Sequence, residues 1–281
     1  MPLIEPSALL RDRADTGRGL GAFNVIQLEH AEALIAGAES VTSPIVLQIS
    51  ENTAAYHGSL APLALAVAAM ARASAVPVAL HLDHAEDAEL VDEALDLGFT
   101  SIMYDGSRLE YDDNLRETKS VVDRCHSRGV PVEAELGEIG GKDGAHAPGV
   151  RTDPQEAAQF VAATGVDSLA VAVGSSHAMT TRDAALDFEL IAHLRAMVPV
   201  PLVLHGSSGV ADEDMTRAVE AGITKVNIAT HLNSVLTKRV RSELDANPTT
   251  TDPRKYLGPA RAAVAGETSR LLRCLKAVPA E

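Results

Sequence analysis

The chain has 281 residues, 46% apolar and 22% charged, with 24 basic against 39 acidic side chains and a net charge of −15. Such a composition supports a sizeable core rather than a disordered chain, and its acidity argues against nucleic acid or an anionic membrane surface as a partner. Aromatic residues, at 3% with no Trp, offer no stacking platform for bases.

In chain order, apolar runs rich in Val, Ile and Leu fall at 21–25, 44–49, 76–82, 101–104, 130–136, 168–173, 200–204 and 225–228. Their apolarity is continuous rather than alternating, which predicts strands buried on both faces, as in a parallel sheet. Helices are predicted between them. Residues 28–40 place Leu28, Ala31, Leu34, Ile35 and Ala38 on one face. Residues 87–97 open with acids and close at Gly98, and an acid-rich helix covers 114–128. Another starts after Thr152-Asp153-Pro154, one spans 212–221 and ends at Gly222, and a last one covers 259–275.

Eight strand–helix alternations in a chain of this length predict an α/β fold, a (β/α)8 TIM barrel forming a single domain over 1–281 with a C-terminal helical extension. A doubly wound open sheet is the rival, since counting elements does not establish closure. Segments 137–151 and 246–255 are expected as long loops. Gly17-x-Gly19-x-Gly21 precedes Phe23 rather than following a strand, so it does not form a dinucleotide fingerprint. The two cysteines, Cys125 and Cys274, are too few for a disulfide framework or a Cys-based zinc site, and a reducing, cytoplasmic setting is expected. The start, Met1-Pro2-Leu3-Ile4-Glu5, lacks the pattern of a signal peptide, and Pro62, Arg72 and Pro77 interrupt the most apolar window, so no membrane span is expected.

A barrel collects its chemistry at the C-terminal ends of its strands. Polar residues gather there: Phe23-Asn24, Gln48-Ile49-Ser50, His81-Leu82-Asp83-His84, Tyr104-Asp105-Gly106-Ser107, Gly174-Ser175-Ser176-His177, His205-Gly206-Ser207-Ser208-Gly209 and Asn227-Ile228-Ala229-Thr230. His84, His177 and His205 hold equivalent places after separate strands, and three imidazoles with a fourth position open suit a catalytic zinc. His81, three residues before His84, is expected to point to the opposite face and to play a structural part or to support the metal ligands from behind. Asp83 adjoins the predicted metal ligand and is placed to pass a proton to a hydroxyl or aldehyde oxygen; the alternative, a helix cap, is equally well served by Asp87. Glu133 and Glu135 share one face of the fifth strand, where buried acids call for a metal, a base role or a hydrogen-bond network. Gly206-Ser207-Ser208-Gly209 and the segment 227–230 each precede a helix and offer backbone N–H groups to an anion.

These segments resemble the class II, zinc-dependent ketose-bisphosphate aldolases, the fructose- and tagatose-bisphosphate aldolase family. The likeness runs from Gly21-Ala22-Phe23-Asn24-Val25 to Asp252-Pro253-Arg254-Lys255-Tyr256, through Leu80-His81-Leu82-Asp83-His84, Glu133-Ala134-Glu135-Leu136-Gly137, Leu204-His205-Gly206-Ser207-Ser208-Gly209 and Lys225-Val226-Asn227-Ile228-Ala229-Thr230. Length and the Asn-Ile-Ala-Thr form are closer to the tagatose-type branch. The resemblance implies a lyase that reversibly cleaves a phosphorylated ketose, fructose or tagatose 1,6-bisphosphate, to dihydroxyacetone phosphate and an aldehyde through a zinc-stabilised enediolate. It implies one catalytic zinc per subunit on His84, His177 and His205, with a monovalent cation such as Na+ as a further expectation. Asp83 would be the acid/base at the aldehyde-derived oxygen. Glu135 and Asp105 would hold alternative or outer positions around the metal. Gly206, Ser208, Asn227 and Thr230 would hold dihydroxyacetone phosphate, Ser50 would meet the far phosphate, Asn24 would line the pocket, and Arg254 would assist with that phosphate across a subunit contact in a homodimer or homotetramer.

The chain departs from the family pattern at two places. The residue after His177 is Ala178 where the family has Gly, in a segment that closely approaches phosphate, and Thr181 stands where a Lys is usual, with Arg182 next to it. The loop after the fifth strand reads Gly140-Gly141-Lys142-Asp143-Gly144 where the family has Gly-Gly and an acidic pair, leaving Asp143 as the expected loop base and Glu138 as a nearby acid. The alternatives are a class II aldolase of the same fold acting on another sugar or deoxy-sugar-acid phosphate, and a catalytically altered sugar-phosphate-binding homologue. A Schiff-base aldolase needs an interior lysine, and Lys225 reads as the start of its strand rather than the end. A zinc hydrolase of this fold would want His-x-His on the first strand, where Phe23-Asn24 stands.

Overall fold

A computed structural model describes residues 3–136, 151–176, 182 and 184–278. The strands are β1 (Leu20–Asn24), β2 (Ile45–Ser50), β3 (Val78–Ala85), β4 (Ser101–Tyr104), β5 (Val132–Leu136), β6 (Ser168–Val171), β7 (Leu202–Leu204) and β8 (Ile223–Ile228). The helices are α1 (Ser7–Thr16), α2 (Leu28–Glu39), α3 (Glu51–His57), α4 (Ala61–Ala73), α5 (Ala88–Leu97), α6 (Tyr111–His126), α7 (Pro154–Thr164), α8 (Phe188–Met197), α9 (Asp212–Ala221), α10 (Thr230–Ala246) and α11 (Arg254–Cys274). Every neighbouring strand pair is parallel, and β8 returns to β1 with Ala22 opposite Asn227, so the sheet closes into a barrel and the open-sheet rival falls.

The predicted helix starts and stops have local causes. Asp87 and Asp153 cap α5 and α7 with their carboxylates, Pro154 opens the first turn of α7, and Gly98 and Gly165 close these helices in left-handed conformation. Three of the boundaries that differ from expectation bear on packing or on the site. The acid-rich helix begins at Tyr111, so that Asp112 and Asp113 lie in its positive first turn. The last helix begins at Arg254, not Pro259. Pro259 removes one backbone bond near the start of α11, and the burial of Ala260, Val264, Leu271 and Leu272 outweighs that loss. α11 lies so close to α2 that a Cβ on Gly37 would sit 2.6 Å from the Ala265 carbonyl oxygen. The third is β8, which starts at Ile223, so Lys225 lies within the strand and is buried.

α1 and the chain's last described residues close the N-terminal end of the barrel. The buried Arg13 guanidinium donates to Ala277 O, and Gly19 N donates to Leu275 O. The opposite, C-terminal end is left to the βα loops. Among the described residues no single helix is long and apolar enough to cross a membrane.

Candidate active site

Seven strands, all but β6, bring the polar side chains of the site to the C-terminal end of the barrel. β3 contributes most, through a local irregularity. Its pairing with β4 slips between Leu82 and Ala85, and His84 adopts φ +51°, the left-handed region that a side chain enters at a cost of about 1–3 kcal/mol. In a regular strand Asp83 and His84 would point to opposite faces. The left-handed turn brings both to the same mouth, with His84 Nε2 4.0 Å from Asp83 Oδ1. His84 Nδ1 lies 2.7 Å from Asp105 Oδ2 at the end of β4, and Asp105 N donates to Ala85 O. The Glu51 carboxylate at the start of α3 accepts from the backbone N–H groups of Glu86 and Asp87 and secures the same turn.

His205, fully buried after β7, turns its Nδ1 to within 3.1 Å of His84 Nε2, the two rings standing edge to face. Its Nε2 lies 3.0 Å from Glu133 Oε1 and 3.0 Å from the Asn227 amide nitrogen. Asn227 Nδ2 donates toward Asp83 Oδ1 at 3.4 Å, and opposite the Lys225-paired Glu133 carboxylate the His205 Nε2–H is the donor. On the other side Asp105 accepts a hydrogen bond from His84 Nδ1–H. Both rings thus have a carboxylate on their outer nitrogen, and their inner nitrogens face each other across 3.1 Å. A shared proton or a cation held by both nitrogens satisfies that contact. Glu135 Oε2 stands 3.9 Å from His205 Nδ1, and His84, Glu135 and His205 form a cluster of donors within 4.8 Å of one another. Two imidazoles, a carboxylate and carboxylate-backed rings fit zinc.

Below this layer the barrel interior is charged. Lys225 Nζ lies 2.7 Å from Glu133 Oε2 and 3.3 Å from His81 Nε2, and His81 Nδ1 lies 2.8 Å from Ser101 Oγ. His81 therefore sits in the barrel beneath the mouth, on the Asp83 side of strand parity. Burial first, then the Lys225 ammonium, holds its pKa well below the ordinary value, so it stays neutral and accepts from Lys225. Lys225 is thus the interior lysine that strand order alone did not reveal, but its ammonium is locked into an ion pair.

Asp83 is 3% exposed. Burial would raise its pKa, yet His84, His205, Lys225 and the Asn24 hydrogen bond outweigh burial and keep it below the usual carboxylate value. Asn24 Nδ2 donates to Asp83 Oδ2 at 2.8 Å and is itself held by Gln48. Asn227 Oδ1 is buried and accepts no hydrogen bond among the described residues. The carboxylate at the mouth is ionised, oriented by two amides, and adjacent to an open acceptor.

The two anion loops are joined into one cradle. Gly206 is left-handed at φ +65°, and a Cβ there would lie 2.5 Å from the Ser176 carbonyl carbon. Ser207 Oγ donates to Asn227 O, while Ser208 Oγ accepts the His231 N–H in the first turn of α10. Thr230 opens α10, which has no side-chain cap of its own. Behind the cradle, Glu267 accepts from His231 and Arg270, and Asp212 pairs with Arg270 and with Arg182. Ser50 caps α3, accepting from Thr53 N. Arg254 lies apart, its exposed guanidinium on Asp252. Of the predicted residues, His177, Ala178, Thr181, Glu138 and Asp143 lie outside the described residues. Glu51 was not predicted, Gln48 was noted only as part of a strand end, and Lys225 was read as a strand start without a role; a charged or amide side chain inside an apolar strand run was the signal available for the last two.

Comparison with known proteins agrees over nearly the whole chain. The family profile described as "Fructose-bisphosphate aldolase class-II" matches residues 5–278. A fructose-bisphosphate aldolase from Thermus caldophilus is 40% identical over 289 residues, covering 93% of this chain and 94% of that protein. One from Staphylococcus aureus is 37% identical over 268 residues, covering 94% of each. Among solved structures, the YdjI aldolase from Escherichia coli K12 superposes with a TM-score of 0.88 at 33% identity, covering 98% of both chains.

Proposed function

Since the chain belongs to the class II fructose-bisphosphate aldolase family and is a carbon–carbon lyase, we propose that it cleaves a ketose 1,6-bisphosphate, fructose or tagatose, to dihydroxyacetone phosphate and an aldehyde, using a zinc ion on His84, His205 and His177. The observation that carries this reading is the pair of imidazole nitrogens facing each other at 3.1 Å, each ring backed by a carboxylate. Bound zinc would supply Lewis acidity at the substrate carbonyl, making the neighbouring C–H acidic.

The chain's own residues do the rest. Asp83 takes the proton of the C4 hydroxyl in cleavage and returns it in condensation. Its depressed pKa keeps it ready as a base, and Asn24 and Asn227 fix its direction. Asn227 Oδ1 is an acceptor for a substrate hydroxyl. Gly206, Ser208, Asn227 and Thr230 hold the phosphate of the dihydroxyacetone half at the cradle, where backbone N–H groups meet an anion without needing net positive charge. Ser50 would contact the far phosphate and Arg254 would reach it from a neighbouring subunit. Glu135 would take an alternative place on the metal and Asp105 holds His84. Asp143 is the proposed loop base, and Na+ the proposed monovalent ion. The family's soluble metabolic chemistry supports a cytoplasmic single-domain homo-oligomer.

The test is a coupled cleavage assay with fructose and tagatose bisphosphates, with and without a chelator. Activity should fall on chelation and return with zinc. Chelator-resistant turnover that borohydride traps would overturn the proposal in favour of a lysine Schiff base.

A further inference from the structure

We propose that Glu133 is a positioning residue for the metal, and that Lys225 is the counter-charge that holds it there: together they fix His205 in the tautomer that directs Nδ1 to the ion. The inference rests on the zinc reading above and extends it to residues that touch neither metal nor substrate.

Glu133 is 1% exposed and both oxygens are engaged. Oε1 accepts from His205 Nε2 at 3.0 Å; Oε2 accepts from Lys225 Nζ at 2.7 Å and from Ser168 Oγ at 3.4 Å. A neutral imidazole carries its proton on one nitrogen, and the hydrogen bond of the outer nitrogen decides which. Without an acceptor opposite Nε2, the proton is free to sit on Nδ1, where it blocks ligation. Asn227 presents its amide nitrogen to His205 Nε2 at 3.0 Å and so offers no acceptor there.

An unpaired carboxylate in this dry interior would be costly, and Lys225 offsets it from β8, on the other side of the barrel. Lys225 is fixed in turn by His81 Nε2, whose own proton is committed to Ser101. The chain Ser101–His81–Lys225–Glu133–His205 thus crosses the barrel floor from β4 to β7. The same arrangement explains why an interior lysine of this barrel is not available as a Schiff-base nucleophile: its ammonium is the counter-ion of a ligand-orienting acid.

The experiment compares two double variants of the full chain, Glu133→Gln/Lys225→Met and Glu133→Leu/Lys225→Met. Both remove the ion pair together, which a barrel interior tolerates far better than removing one partner. They differ in whether an acceptor still faces His205 Nε2. Zinc affinity is read by competition with a chromophoric chelator, and the thermal midpoint of the metal-free forms is read alongside. The Leu/Met variant should bind zinc about 10–100-fold more weakly than wild type, with the Gln/Met variant recovering most of that loss, while the two metal-free forms melt together. In 15N-histidine spectra the His205 Nε2–H signature should persist in Gln/Met and be lost in Leu/Met.

Equal zinc affinity in the two double variants would overturn the positioning role and leave a purely structural ion pair. Should the Leu/Met chain fail to fold, Glu133→Asp carries the test, since it keeps the charge and draws the oxygen back by one methylene; unchanged zinc affinity there would equally overturn it. A wild-type chain that takes up no zinc would instead sink the functional reading itself, and the titration of wild type comes first for that reason.

Discussion

The barrel interior and the rim behind the anion cradle both hold dense charge, but they hold it differently. In the interior, Asp83, Glu133, Glu135, His205 and Lys225 are each buried to within a few per cent, and Asp83, Glu133, His205 and Lys225 are hydrogen-bonded to partners from other strands. At the rim, Asp212, Glu267, Arg270 and Arg182 form ion pairs between helices and a loop, with side chains about a fifth to two-fifths exposed. Water can replace a lost rim partner and cannot replace an interior one. Interior substitutions should therefore act on chemistry and metal, and rim substitutions on the stability of the scaffold that carries the cradle.

The interior should break first at Asp83. Asp83→Ala removes the proposed proton carrier while leaving both imidazoles and their carboxylates in place. Turnover should fall by at least ~100-fold with zinc content by elemental analysis unchanged. Normal turnover in this variant would show that the acid/base lies elsewhere.

The next effect separates two ways of aiming an imidazole. His205 is aimed by a regular strand end and a buried acid, whereas His84 is aimed by a strained backbone and the short contact to Asp105. Asp105→Asn keeps the shape but weakens the acceptor for His84 Nδ1–H, and it also lets the amide present a donor there. Zinc affinity should drop by about 10-fold in a chelator competition, less than the full loss from removing a ligand. An unchanged affinity would mean that the left-handed turn at His84, with its Glu51 anchor, aims the ring by itself.

This contrast also marks what the sequence disclosed. The eight strands were legible because doubly buried strands must be continuously apolar, and the site was legible because polar residues interrupt those runs at one end. Glu133 and Glu135 were readable as a pair, since period-two geometry puts them on one face. The joint placement of Asp83 and His84 was not readable from parity: it depends on a slipped register and a positive φ that His adopts only because tertiary contacts hold it there. Nor was the role of Lys225, which lies inside β8 because pairing with β7 extends that strand back to Ile223, two residues before the apolar run. Pro259 misled in the opposite sense, since a local rule about helix starts gave way to the packing of α11 on the barrel.

The smallest expected effect tests the rim, through Glu267. The Arg270 guanidinium, and after it the His231 ring, outweigh burial and hold its carboxyl at about 2, well below the ordinary 4.5. A carboxylate whose folded-state pKa is depressed adds stability above its unfolded value and loses it as pH falls from there toward the folded value. Wild type should therefore exceed Glu267→Gln in urea-unfolding free energy by a constant margin above pH 5, and the margin should shrink steadily between pH 4.5 and 2. Because Arg270 is partly open to water, that margin is on the order of 1 kcal/mol rather than the full value of the shift. Zinc affinity should not change, since no atom of Glu267 contacts the interior network. A pH-independent margin would mean that the Gln side chain perturbs packing between α10 and α11. A loss of zinc would mean that the rim and the interior are coupled, and the separation drawn between them would fail.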